Sequence, residues 1–166
     1  MLFRWCAGVV EAWLGLERWV RAPFRRRFGV RDAWRALPGD LLGLMVMRGC
    51  GIAAPTRVVE VGDVSAVLVE DRRVELWLGS QLMPVTAQTL GRYVFSRDPV
   101  GDELLAHECE HIRQWRRFGP FYLALYFGSS ALVSLRGGRP YWDNPFEAAA
   151  RRRADRDVAA RRSSVA

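Results

Sequence analysis

The chain has 166 residues, half of them hydrophobic, which supplies the core of one compact domain and leaves little for a second. Its formal charge is +7, yet all 25 basic side chains are Arg, a bias that fits the codon usage of a GC-rich bacterial genome. No motif interleaves base-stacking aromatics with those charges, so a nucleic-acid partner is not expected.

Residues 1–27 read as an amphipathic helix with a basic exit. Val9, Trp13, Leu16 and Val20 recur at helical spacing, Pro23 ends the pattern, and Arg25, Arg26 and Arg27 follow. Glu11, Glu17 and Arg18 interrupt the apolar run, so it lacks the uninterrupted core of a signal peptide. Cys6, Cys50 and Cys109 form no C-x-x-C pair, which fits a reducing compartment. A cytoplasmic location is therefore expected. Trp5, Trp13 and Trp19 beside the basic exit would suit a peripheral membrane contact; a helix laid over the domain core explains the same pattern.

Pro38 and Gly39 then break the chain, and Asp40 can cap a short helix through Met47 that is apolar nearly all round and should be buried. Residues 57–96 have the texture of a sheet. Four strands are expected, at Arg57 to Val61, Ala66 to Glu70, Val74 to Leu78 and Arg92 to Ser96, with a turn at Asp71, Arg72 and Arg73. A small antiparallel sheet with one face on the core follows.

Residues 98–155 read as helices. Asp98 and Pro99 start the first, and Gly119 with Pro120 stops it. The apolar run from Gly119 to Leu135 falls short of the roughly 20 residues that span a bilayer, so no transmembrane helix is expected. Gly137 and Gly138 make a turn, and Asn144 with Pro145 opens a last helix that carries Arg151, Arg152 and Arg153 outward. Residues 156–166 read as a frayed tail. The expected fold class is α+β, a single domain over 1–166 with a small antiparallel sheet packed on helices.

The chemistry concentrates in His107-Glu108-Cys109-Glu110-His111. The i, i+4 spacing brings both imidazoles to one side of a helix, where two nitrogens meet one metal ion. Glu108, turned by about 100°, is poorly placed as a ligand and well placed as a general base toward a metal-bound water. Leu104, His107, His111, Trp115 and Phe118 form one stripe, so the imidazoles point inward and need partners on both nitrogens. These are the only two His in the chain.

A third ligand must then be a carboxylate or Cys109, and Cys109 lies on the opposite face of the helix, where it reads as a packing residue. Glu147, in the first turn of the last helix, is the choice for zinc; Asp143 is the reserve. A competing role exists for the same carboxylate, since Asn144 followed three residues later by Glu147 loosely satisfies a capping box.

The run His107, Glu108, His111 and Gln114, followed by Asn144-Pro145-Phe146-Glu147, resembles the zincin metallopeptidases, specifically gluzincin-like minimal domains with HExxHxxQ on one helix and a Glu on a later one. It is also similar to small bacterial proteins of unassigned function in which a Gly-Pro turn and an apolar helix separate HExxH from N-P-F-E. The resemblance covers about Gly91 to Arg151. It implies zinc, a minimal zincin-like fold around an active-site helix, and a peptidase-like site acting on a protein or peptide. By the same resemblance, Gly91 to Ser96 would line the substrate cleft. Tyr141, Tyr122 and Arg139 are candidates to stabilise an oxyanion, and Gln114 and Asp143 to orient ligands. The alternative function is a non-catalytic, zinc-stabilised module for protein or membrane-surface interaction.

Overall fold

The computed structural model describes residues 30–80 and 85–165, with side chains over 35–80 and 85–160. The amphipathic helix read over residues 1–27 lies outside the described residues. Arg31–Ala166 form one compact unit. It is α+β, as its sequence texture implies.

Helix α1 (Val30–Gly49) runs straight through Pro38 and Gly39, where the sequence suggested a break. Pro38 removes one backbone donor. What holds the segment is its neighbour: a Cβ on Gly39 would lie 2.6 Å from the Gly91 backbone and 2.8 Å from the Trp115 ring. Asp40 caps nothing and instead accepts from the Arg92 backbone N–H and Nε, both at 2.8 Å. The helix is also less buried than its apolar sequence suggested. Met47 is in the core, while Leu41, Leu42 and Met45 are exposed.

The sheet has the order β1-β2-β4-β3, built from β1 (Arg57–Val61), β2 (Val64–Glu70), β3 (Ala87–Leu90) and β4 (Tyr93–Ser96). It is mixed rather than wholly antiparallel. β1–β2 and β3–β4 are antiparallel, but β2 and β4 pair in parallel, Val67 opposite Tyr93 through Glu70 opposite Ser96. Both faces are covered. Val67, Val69, Tyr93 and Phe95 join Met47, Leu78 and Trp115 on one side; Ala66, Leu68 and Val94 meet Leu105, Cys109 and Ile112 on the other. The near-continuous apolar run of β2 is the signature of a strand buried on both faces.

The expected strand Val74 to Leu78 is helical. Asp71 Oδ1 accepts from the Arg73 N–H at 2.8 Å and winds a 3-10 turn (Arg72–Val74) that continues as α2 (Glu75–Gly79). Val74 and Leu78 are buried and Leu76 is exposed. Positions 74 and 78 share a face in either conformation, so the alternation was ambiguous. The strand that pairs antiparallel with β4 is Ala87–Leu90, joined to it through Gly91 at φ 61°.

Helix α3 (Asp102–Phe118) lies between the sheet and the rest of the helical part. Gly119, at φ 57°, and Pro120 bend the chain into α4 (Tyr122–Leu135), and Gly137, at φ 75°, turns it toward α5 (Pro145–Val165). α5 is helical to Val165, where the sequence suggested fraying. Arg151 also departs from expectation. It turns inward, donates to the Trp142 carbonyl, and stacks its guanidinium over the Trp142 ring at 5.2 Å.

Gly91 is the point at which α1 and the β3–β4 turn touch: a Cβ there would lie 2.3 Å from the Asp40 N, at a φ that L residues rarely adopt. Gly91→Ala is expected to lower the unfolding free energy by about 2–3 kcal/mol, measured by chemical denaturation. Gly128→Ala, mid-helix with open space at Cβ, should raise it by about 0.5–1 kcal/mol.

Candidate metal centre

The i, i+4 pair on α3 brings His107 and His111 together with their Nε2 atoms 3.2 Å apart. Glu147, on the first turn of α5, faces both: its Oε2 lies 3.3 Å from His107 Nε2 and its Oε1 3.3 Å from His111 Nε2. Its side chain is almost wholly buried. His107, His111 and Glu147 form a group that could hold a metal ion, each offering one ligand atom within 4.8 Å of the others.

The two roles the sequence allowed Glu147 separate cleanly. Asn144 caps α5 alone, its Oδ1 accepting from the Phe146 N–H at 2.9 Å, while its Nδ2 donates to the Tyr126 carbonyl and to Ser130 Oγ. Glu147 is thereby free of capping and turns toward the imidazoles. Asp143 is not brought in. It is exposed and accepts from the Arg139 N–H at 2.8 Å and from its guanidinium. Cys109 packs against the sheet, and burial pushes its thiol up to about 12. Glu110 pairs with Arg113 instead.

Gln114 sits where a supporting residue is needed. Its Nε2 donates to the Phe146 carbonyl at 3.0 Å, which leaves its Oε1 as an acceptor 2.8 Å from His111 Nδ1. That chain makes Nδ1 the protonated nitrogen and aims Nε2 at Glu147. Tyr122, a candidate for facing substrate, is behind the histidine: its hydroxyl lies 3.1 Å from His111 Nδ1 and donates to Gln114 Oε1 at 3.2 Å.

Two residues escaped the sequence reading. Tyr126 donates its hydroxyl to Glu147 Oε1 at 2.7 Å, and its only signal was a spacing of four from Tyr122 on an apolar helix. Thr89 donates to Glu108 Oε2 at 2.6 Å from a strand whose sequence, Ala-Gln-Thr-Leu, carries weak strand propensity.

Burial would lower the His111 pKa, but the hydrogen bond to Glu147 and the charges of Glu108 and Glu147 raise it to about 9. Burial would raise Glu147, yet the His107 and His111 imidazoles and the Tyr126 hydroxyl hold it well below the usual carboxylate range. Charge compensation thus makes an ionised carboxylate tolerable in the interior.

Beside the group opens a cleft of about 830 Å³, lined by Val85 to Ala87, His107, Glu108, Arg139 to Trp142 and Arg151 among others. The strand bordering it is the edge strand β3, not Gly91 to Ser96, because β4 is enclosed between β2 and β3. Tyr141 and Arg139 reach the cleft. Burial, then the charge and hydrogen bond of Glu147, push the Tyr141 hydroxyl up to about 12, so it stays a proton donor at neutral pH.

No family model, no curated protein and no solved structure matches the chain.

Gln114→Met should weaken metal affinity by about 10- to 100-fold with the fold intact, read by competition with a chromophoric chelator. A metal ion arriving at His111 Nε2 must displace a proton whose pKa is raised to about 9. Protons therefore compete throughout the neutral range, and affinity should rise about tenfold per pH unit between about pH 6 and 8.

Proposed function

We propose that the chain is a zinc-dependent, zincin-like peptidase that hydrolyses peptide bonds in a protein or peptide substrate. The observation that carries this reading is the position of Glu108: it lines the same cleft as His107 and is tethered by Thr89 Oγ1 at 2.6 Å.

The ligand spacing supports zinc. A tetrahedral ion with bonds of about 2.0–2.1 Å separates its ligand atoms by roughly 3.3 Å, and the pairs here lie at 3.2, 3.3 and 3.3 Å. Two imidazoles and one carboxylate are a donor set that leaves one position of a four-coordinate ion open. Zinc bound there supplies a Lewis acid and lowers the pKa of its water to about 7.

The chain's own residues do the rest. Glu108 accepts a proton from the attacking water and returns it to the leaving amine. Thr89 fixes the orientation of that carboxylate by holding Oε2. Tyr141, protonated and at the cleft, turns its hydroxyl from Glu147 to donate a hydrogen bond to the oxygen on which negative charge develops. Tyr126 and Gln114 hold Glu147 and His111 in register, and Arg151 ties the loop carrying Tyr141 to α5.

Glu108→Gln should retain one equivalent of zinc and lose at least about 100-fold in hydrolysis of a peptide library, with Tyr141→Phe losing roughly tenfold or more. Equal hydrolysis by wild type and Glu108→Gln, with zinc present in both, would sink the catalytic reading. The alternative, a zinc-stabilised module without activity, predicts that chelation lowers the melting temperature and removes no hydrolysis.

A further inference from the structure

We infer that α4 docks on a lipid bilayer containing anionic lipid, lying at its surface with its outer side among the acyl chains. This helix has two distinct faces. Tyr122, Tyr126 and Ser130, spaced by four, face the domain, where they meet His111, Glu147 and Asn144. The other side carries Phe121, at the helix start, with Leu125, Phe127, Leu132 and Leu135, all exposed; Phe121 is 70% and Leu135 85% exposed. At about 100° per residue these positions cover roughly half the helix circumference.

No charged side chain occurs from Phe118 to Leu135. Exposed residues on α5, by contrast, include Arg152, Asp155 and Arg156. Clustered exposed apolar side chains of this kind mark a surface of contact with a protein or a membrane. A partner helix would cover one stripe and leave the flanks wet, whereas a bilayer covers the entire outer side.

Length and charge narrow the mode of contact. By length and composition, one helical stretch among the described residues, Asp102–Leu135, is sufficient to cross a membrane, which the sequence count from Gly119 did not anticipate. Its first half is α3, however, which carries His107 and His111 and packs on the sheet, and the chain bends at Gly119 and Pro120. The exposed apolar part is the 14-residue α4, about 21 Å long against a hydrocarbon core of about 30 Å. It suits partial insertion from one side. Arg117 and Arg136, both exposed, stand just beyond its two ends, where a helix at this depth meets lipid phosphates. The net charge of +7 favours the same anionic surface.

The test is flotation of the full chain with vesicles of phosphatidylcholine and phosphatidylglycerol, 70:30, in a density gradient. Wild type should float. Leu125→Gln with Leu132→Gln should lower the bound fraction at least about tenfold, and Arg117→Gln or Arg136→Gln about fivefold each at low salt. Both pairs are exposed, so melting temperatures should stay unchanged; if the Leu pair melts early, Leu135→Gln gives the same readout at roughly threefold. Three outcomes overturn the inference. The first is wild type that stays at the bottom of the gradient. The second is flotation that survives every α4 substitution, which assigns lipid contact to another segment such as residues 1–29. The third is wild type that forms a stable dimer in solution and becomes a monomer with the Leu substitutions, which makes this face an interface between copies.

Discussion

A buried carboxylate facing two imidazoles is the interaction on which the rest of this structure depends. Glu147 lies 3.3 Å from each of His107 and His111, on helices that no local sequence contact connects. Leaving a charge in the interior without partners costs several kcal/mol, so every neighbouring element is bent to its service. Asn144 takes over the cap of α5, freeing Glu147 to face inward. Tyr126 gives its hydroxyl to one carboxylate oxygen, and Gln114 fixes the imidazole tautomer from behind. The packing of α3 on α5 is the structural expression of that pairing.

The sheet has a similar organising role at longer range. Thr89 reaches Glu108 only because β3 is an edge strand beside α3, and β3 is held there by the turn at Gly91. That turn is gripped by Asp40 through Arg92 and by the close approach of Gly39. A helix some fifty residues upstream in sequence thus positions the residue that orients the proposed base.

Much of the site is legible in the sequence. HExxH spacing places His107 and His111 on one face of a helix with Glu108 beside them because helical periodicity is rigid, and Asn-Pro followed by Glu marks a helix start with a carboxylate on its first turn. The α+β class followed from the change of texture along the chain, and the end of α3, the bounds of α4 and the start of α5 from Gly119-Pro120, Gly137 and Asn144-Pro145. Other features depended on tertiary contacts. Val74 to Leu78 satisfies strand and helix patterns equally, and Asp71 decides it by capping. Pro38 is a sound signal for a break, overridden where Gly39 must meet Gly91. Asp143 was a reasonable ligand by position, but the turn after α4 spends it on Arg139. Thr89 had no pattern of its own and Tyr126 only its spacing of four from Tyr122; they matter through what they touch.

Helix α4 has two faces with separate roles, since its inner tyrosines meet His111 and Glu147 while its outer side exposes Leu125, Phe127, Leu132 and Leu135. Everything about the inner face assumes that His107, His111 and Glu147 converge on one ion. X-ray absorption at the zinc edge of the purified protein tests that most directly. The account predicts one equivalent of zinc with two imidazole nitrogens and oxygen ligands at about 2.0–2.1 Å. A sulfur shell at about 2.3 Å, or zinc content that is unchanged when Glu147 and both histidines are replaced by Ala, would contradict it.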